Sequence, residues 1–184
     1  MRTLAACSIF ALALSACTAG DDDDDDNNND VRHADAARAA DDCNPAADNC
    51  AGETICVGGD CVQAFGRTYR ISLALEVSTT TPDGDTWDAL GGAPDPFIKV
   101  YLNGGLVMTT NEPQDTFEPQ FSTTKDIVIP ANAAFVADAY DADLSDHDWI
   151  MSCEADPLTA DLLRYGSGTC EYAGSTLTIW FYRG

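Results

Sequence analysis

Aspartates are crowded between two apolar segments in the stretch AYDADLSDHDWI, residues 139–150. Four of them fall within eight residues: Asp141, Asp143, Asp146 and Asp148. Two carboxylates about 4 Å apart repel each other by about 1 kcal/mol in water, and by about 4 kcal/mol at an effective dielectric constant of about 20. Such a segment either spreads its charges in solvent or surrounds a cation.

A second acidic segment precedes an apolar run earlier in the chain. TPDGDTWDALGGAPDPFIKVYL, residues 81–102, contains Asp88 and Asp95, and Asp95 directly precedes a predicted strand. Carboxylates at strand ends can converge at one tip of a β-sandwich, where a hard cation with roughly six to eight oxygen ligands turns their repulsion into attraction. Calcium fits this pattern best, because magnesium demands tighter geometry and zinc prefers His or Cys ligands.

Three segments resemble, in the same order, parts of the C2 domain, a calcium-dependent phospholipid-binding β-sandwich. DALGGAPDPFIKVYL is similar to the first calcium loop and the strand after it. TFEPQF, residues 116–121, is similar to the Thr-x-x-Pro-x-aromatic segment of that family, and AYDADLSDHDWI to the third calcium loop. The resemblance covers residues 64–184 and implies an eight-stranded antiparallel sandwich.

The resemblance also implies a set of calcium ligands. Asp88 and Asp95 match the first loop, Asp141 and Asp143 match an Asp-x-Asp pair at the end of the sixth strand, and Asp148 matches the last loop aspartate. Secondary candidates are the carbonyl oxygen of Ala142, the carboxylate of Asp146, and the upstream Asp83 and Asp85. The alternative is that these aspartates are solvated and cap turns.

The resemblance implies contact with lipid, but the sequence limits the kind of contact that is expected. Lys99 and Lys125 are the only lysines, so a basic patch for phosphoinositides is not expected. Contact with anionic lipid would have to be bridged by bound calcium. Leu144 and Trp87 are the apolar residues expected to reach a bilayer, whereas Trp149 is expected to begin a strand and join the core.

Period-two alternation of apolar residues predicts the strands that position these loops. It is found in TYRISLALEV, FIKVYL, AAFVADAY and STLTIWFY, with LVMTT and DIVIP as shorter candidates. Only DPLTADLLRYG, residues 156–166, has helical spacing. The predicted fold class is therefore all-β: an antiparallel eight-stranded C2-type β-sandwich over residues 63–184, preceded by a small disulfide-rich module over residues 43–62.

The N-terminal residues indicate export. Residues 1–16 resemble a bacterial lipoprotein signal peptide, with LSAC as its lipobox, which implies cleavage before Cys17 and lipidation of that cysteine, for example with palmitate. Thr18 in place of Asp favours the outer membrane, on its periplasmic face or on the cell surface. The acidic stretch within residues 17–42, including DDDDDDNNND, is expected to be a disordered tether.

Six cysteines remain after processing, and an even number in an exported protein favours disulfides. Cys153 and Cys170 are expected to pair with each other. The other four are expected to form two bridges whose pairing stays open, in a stapled module or stalk: Cys43, Cys50, Cys56 and Cys61.

No catalytic constellation is recognisable in the sequence, so the protein is predicted not to be an enzyme. Its net charge of −22 and the lack of a basic patch exclude nucleic acid as a partner. Two functions remain open. The first is a calcium-dependent phospholipid-binding module in a membrane-anchored lipoprotein. The second is a calcium-stabilised surface adhesion module that binds an unknown protein or glycan.

Overall fold

The computed structural model describes residues 43–44, 46–87, 92–143 and 147–183. All of these residues lie in one compact unit, Asp41–Gly184. Its elements are β1 (Thr54–Val57), β2 (Asp60–Gln63), β3 (Arg67–Glu76), β4 (Pro96–Leu102), β5 (Gly105–Thr109), β6 (Lys125–Ile129), β7 (Phe135–Ala142), β8 (His147–Ala155), α1 (Ala160–Tyr165), β9 (Ser167–Tyr172) and β10 (Ser175–Arg183).

Strands β3 to β10 form two four-stranded antiparallel sheets, which confirms the predicted eight-stranded sandwich. One sheet has the strand order β6-β3-β10-β9 and the other has the order β5-β4-β7-β8. The separate hairpin β1-β2 corresponds to the disulfide-rich module. The site is positioned by β4, β7 and β8, because the two acidic segments join β3 to β4 and β7 to β8.

The core lies between the inward faces of the two sheets, where the alternation in the sequence places it. On β3, Ile71, Leu73 and Leu75 are buried, and on β10 the alternate residues Leu177, Ile179 and Phe181 are buried. On β7, the alternate residues Phe135, Ala137 and Ala139 are buried. Side chains that alternate along a strand point to opposite faces, so each of these strands keeps its other face toward solvent.

The single described helix is short, as its sequence predicts. The hydroxyl of Thr159 caps its N-terminus by accepting a hydrogen bond from the backbone N–H of Leu162 at 3.3 Å. Gly166 ends it with a φ of 75°, a left-handed conformation that glycine adopts without steric cost. Among the described residues, no helix is long and apolar enough to cross a membrane.

Three disulfides fasten the edges of the structure. Cys153 bonds to Cys170 and joins β8 to β9, which are edge strands of the two different sheets. The hairpin module contains the other two bridges, Cys43–Cys56 and Cys50–Cys61, which settles the pairing that the sequence leaves open.

The disulfide-rich hairpin packs against the sandwich instead of standing apart as a stalk. Ile55 is fully buried in the main hydrophobic core. Asp48 forms ion pairs with Arg164 at 3.7 Å and with Arg183 at 2.9 Å, and all three side chains are largely buried. The same two arginines donate hydrogen bonds to backbone carbonyls of Thr54 and of Cys56 in the hairpin.

Candidate metal centre

Three neighbouring strands bring predicted ligands to one end of a sheet. Asp141, on the central strand β7, pairs with Pro96 of β4 on one side and with Asp148 of β8 on the other. Asp95 directly precedes Pro96. The antiparallel register therefore places Asp95, Asp141 and Asp148 in a row across the end of β4, β7 and β8.

Asp141 is the buried member of this row. It continues the inward face of β7 after Ala137 and Ala139, and its residue surface is only 2% exposed. Its Oδ1 accepts a hydrogen bond from the backbone N–H of Asp95 at 2.6 Å. Burying a carboxylate costs free energy unless it has hydrogen bonds and a compensating charge. The position of Asp141 at the rim of an apolar core therefore makes it a candidate ligand for a cation.

Asp95 links the two acidic segments to a third one. Its carbonyl oxygen accepts a hydrogen bond from the N–H of Ala142 at 3.0 Å. Its Oδ1 accepts another from the N–H of Asp115 at 2.7 Å, and the N–H of Thr116 donates to Pro94 at 2.9 Å. Sequence reasoning missed Asp115, although it directly precedes the TFEPQF segment; its φ of 51° turns the chain toward Asp95.

Asp148 lies directly opposite Asp141 in the β7–β8 ladder. Directly opposed side chains in an antiparallel pair lie on the same face, with their Cβ atoms about 4.5–5.5 Å apart, and like charges in that position are destabilising. Asp148 is exposed, as is Asp143 two residues beyond Asp141. Asp88, Asp146 and Leu144 lie outside the described residues.

The lysine nearest in sequence to this end faces away from the buried carboxylate. Lys99 lies on the outward face of β4, with its Nζ 5.3 Å from the ring centroid of Phe97 and 5.2 Å from that of Tyr140. Asp141 points to the inward face. On the outward side, burial and the neighbouring Asp138 raise the pKa of Tyr140 above its ordinary value.

The candidate ligand atoms are of a type that suits a hard cation, but the described residues do not bring enough of them close together. All the candidate ligand atoms are oxygens, as calcium prefers. Within the described ranges, the one group of three or more potential ligand atoms close enough to hold an ion is formed by Cys43, Cys50 and Cys61. Those sulfurs are in disulfides. The described aspartates therefore do not by themselves form a complete set of ligands for an ion.

Comparison with known proteins finds similarity in structure only. No protein-family model and no curated protein match the sequence. A structure of the two tandem C2 domains of Extended-Synaptotagmin 2 matches with a TM-score of 0.50 and 10% identity, over 64% of this chain and 41% of that one. The sandwich has the C2 fold. A solved C2 domain matches with a TM-score of 0.49 and 16% identity, over 62% of this chain and 96% of that one.

Calcium-bound Extended-Synaptotagmin 2 domains are also among the similar structures, with a TM-score of 0.46 and 13% identity, over 63% of this chain and 45% of that one. This chain spans less than half the length of either Extended-Synaptotagmin 2 structure. At these identities the similarity establishes the fold of the C2-like sandwich and leaves its ligands to be argued from the chain itself.

The chain order of the strands differs from that of the family segment that Asp141 resembles. The resemblance matches Asp141 and Asp143 to an Asp-x-Asp pair that ends the sixth strand in that family. In the structure Asp141 lies in β7, the fifth strand of the sandwich. The acidic segment that contains Asp95 accordingly joins the first and second strands of the sandwich, and the segment that contains Asp143 joins the fifth and sixth.

Two tryptophans of the C2-like sandwich exchange the roles expected of them. Trp87 is buried, at 5% exposure, and its indole N–H donates to the carbonyl oxygen of Ser78 at 2.8 Å, so it is not available to a bilayer. Trp149 lies near the start of β8 as expected but is 41% exposed. Its ring contacts that of Tyr172, with centroids 5.0 Å apart.

Proposed function

We propose that the C2-like sandwich binds calcium at its acidic end through Asp88, Asp95, Asp141, Asp143 and Asp148. The observation that carries the proposal is the buried carboxylate of Asp141, which directly opposes Asp148 and accepts a hydrogen bond from the backbone of Asp95. A bound cation would convert the repulsion between these like charges into attraction. Calcium is the expected ion because it tolerates several oxygen ligands in flexible geometry.

The proposed consequence of calcium binding is contact with a phospholipid surface. Trp149 directly follows Asp148, and Tyr172 lies at the end of β9 that adjoins the start of β10. Both side chains are exposed at the same end of the sandwich as the aspartates. Aromatic side chains of this kind favour the boundary between water and lipid, and bound calcium would bridge the acidic end to anionic headgroups.

The proposed location is the bacterial cell envelope, with the chain anchored by lipid on Cys17. The LSAC sequence supports this proposal. Metabolic labelling with a radioactive or alkyne-tagged palmitate should label the wild-type chain, and Cys17→Ser should abolish the label. The protein is proposed to act by binding and not by catalysis.

Thermal unfolding tests the proposed calcium site. The full chain would be melted in EDTA and across a calcium series, beside the double variant Asp141→Asn/Asp143→Asn. At about 100 times its dissociation constant, a bound ion adds about 2.7 kcal/mol to the free energy of unfolding, so the midpoint should rise by several degrees in wild type only. Asp126→Asn is the matched control, because Asp126 is an exposed aspartate paired with Arg70 on the other sheet.

Two results would separate the remaining possibilities. No midpoint shift at millimolar calcium would contradict the proposed site. A shift without calcium-dependent binding to phosphatidylserine liposomes would retain the site and favour a surface module that binds protein or glycan.

A further inference from the structure

A groove lies at the opposite end of the sandwich from the aspartates. Strand β10 starts beside the end of β3, where the segment that leads to Asp95 begins, and runs away from it to Arg183. The groove is formed near Arg183 by the outward side of β10, the segment that joins α1 to β9, and the turn between β1 and β2. Its volume is about 530 Å³, within the range of about 300–1,000 Å³ that is common for small-molecule sites.

Aromatic rings form much of the groove. Trp180 and Tyr182 are two residues apart on β10 and lie on its same, outward face, so their Cα atoms are about 6.6 Å apart. Tyr165, at the end of α1, is 78% exposed, and Tyr182 is 52% exposed. Three large rings at one groove, two of them left mostly in solvent, are more typical of a recognition surface than of a sheet that only covers a core.

The polar tips of these rings remain available to a ligand. Within the described part of the chain, the indole N–H of Trp180 and the hydroxyls of Tyr165 and Tyr182 form no hydrogen bond with protein atoms. Ser167 also lines the groove. The groove therefore combines ring faces with several groups that donate or accept hydrogen bonds.

The two arginines of the groove are occupied by the protein itself. Arg164 binds Asp48, Asp161 and the carbonyl oxygens of Gly52 and Thr54. Arg183 binds Asp48 and three backbone carbonyl oxygens, those of Cys56, Leu163 and Arg164. The guanidinium groups are neutralised and their N–H groups engaged, so they do not provide an anion site. Because the whole chain is strongly acidic, with a net charge of −22, an anionic ligand is further disfavoured.

We propose that this groove binds a neutral oligosaccharide. The C–H face of a sugar ring is slightly positive and packs against the negative face of an aromatic ring, while the hydroxyls at its rim pair with indole, phenol and serine groups. A proline-rich peptide also packs on aromatic grooves, but its carbonyl groups only accept hydrogen bonds. The hydroxyl groups in this groove both donate and accept, which matches a sugar better. This site is separate from the proposed calcium site and does not depend on it.

Calorimetric titration of the purified full chain with cellohexaose, xylohexaose, chitohexaose and maltohexaose tests the proposal. At least one sugar should bind at millimolar or lower concentration, equally in EDTA and in calcium. Trp180→Ala should weaken that binding by roughly tenfold or more, as truncation of a central aromatic contact does. Tyr182→Ala serves as a second variant if Trp180→Ala fails to fold by circular dichroism. Trp149→Ala, which removes an exposed tryptophan at the other end, should bind normally.

Three outcomes would overturn the oligosaccharide site. The first is that none of the four sugars binds at millimolar concentration. The second is binding that persists unchanged in both Trp180→Ala and Tyr182→Ala. The third is binding of a proline decamer, in place of the sugars, that requires Trp180. Because the sugar titration is also run in EDTA, its failure is distinguishable from failure of the calcium proposal.

Discussion

At the scale of single residues, the positions of Asp95 and Asp141 were predictable and the exposure of their neighbours was not. Asp95 and Asp141 could be assigned to strand ends from apolar alternation alone, and the structure places them side by side. The burial of Asp141 depends on which strands are neighbours, which alternation does not specify. Asp115 is brought to Asp95 by its left-handed backbone conformation and by the hydrogen bond from its backbone N–H to the Asp95 carboxylate. The sequence carries little signal for either feature.

Trp87 is buried and Trp149 is exposed, opposite to expectation, and each difference has a local cause. Trp87 is buried, and its indole N–H donates to the carbonyl oxygen of Ser78. Trp149 is turned outward by a register shift in β8, where Met151 pairs with Ala139 but Trp149 pairs with Tyr140. Ile150 is thus the extra residue of a β-bulge, and a bulge re-aims the side chains on one side of it.

We predict that Trp149→Ala and Tyr172→Ala each weaken calcium-dependent binding to phosphatidylserine liposomes by several-fold. Both side chains are exposed, so the free energy of unfolding should change by less than about 1 kcal/mol. Co-sedimentation with liposomes in calcium measures the binding, and Tyr182→Ala is the control because Tyr182 lies at the other end of the sandwich. Equal co-sedimentation of all three variants and the wild type would exclude the Trp149–Tyr172 pair as a membrane contact.

At the scale of elements, the strands were the most predictable part of the molecule. The inward positions of β3, β7 and β10 follow from period-two alternation, and the structure buries the expected residues. Alternation does not specify which strands pair, so the order of the strands within the two sheets had to come from the structure. The turn and cap residues of α1 likewise agree with its sequence.

The buried hydroxyl of Tyr69 gives β3 a predictable response to alkaline pH. It donates to the carbonyl oxygen of Ala64 at 2.7 Å, and burial raises the pKa of Tyr69 to about 12 from an ordinary value of 10.0. As pH rises above about 10, the unfolded chain loses this proton before the folded chain does. Tyr69 therefore makes the free energy of unfolding fall with rising pH between these two values.

We predict that Tyr69→Phe lowers the free energy of unfolding by about 1 kcal/mol at neutral pH, because a buried carbonyl loses its hydrogen-bond donor. The difference from wild type should shrink as pH rises from about 9 to about 11, where the unfolded chain begins to lose the tyrosine proton. Urea unfolding at several pH values measures it. A difference that stays constant over this pH range would show that Tyr69 does not couple folding to proton loss.

At the scale of the whole described unit, the docking of the disulfide-rich hairpin was the least predictable feature. The cysteines indicated bridges, but the attachment depends on Asp48 meeting Arg164 and Arg183, which are distant in sequence. No local pattern links residues so far apart. The arginines carry no motif that distinguishes them from solvated surface charges, and their role becomes visible only when the hairpin and the sandwich are seen together.

We predict that Asp48→Asn lowers the free energy of unfolding by about 3 kcal/mol, because it leaves two largely buried guanidinium groups without their shared carboxylate. Asp161→Asn is the matched control: it removes an exposed partner of Arg164 and should cost less than about 1 kcal/mol. Urea unfolding of both variants measures the difference. Equal effects would mean that the Asp48 contacts do not hold the hairpin in place.

The central claim is that one end of this C2-like sandwich binds calcium, and calorimetric titration of the calcium-free chain tests it most directly. We predict saturable binding with a dissociation constant of roughly 10⁻⁴–10⁻³ M. Asp141→Asn should abolish it and the control Asp126→Asn should retain it. The claim would be contradicted by a wild-type chain that shows no saturable heat with calcium, or by an Asp141→Asn variant that binds calcium as the wild type does.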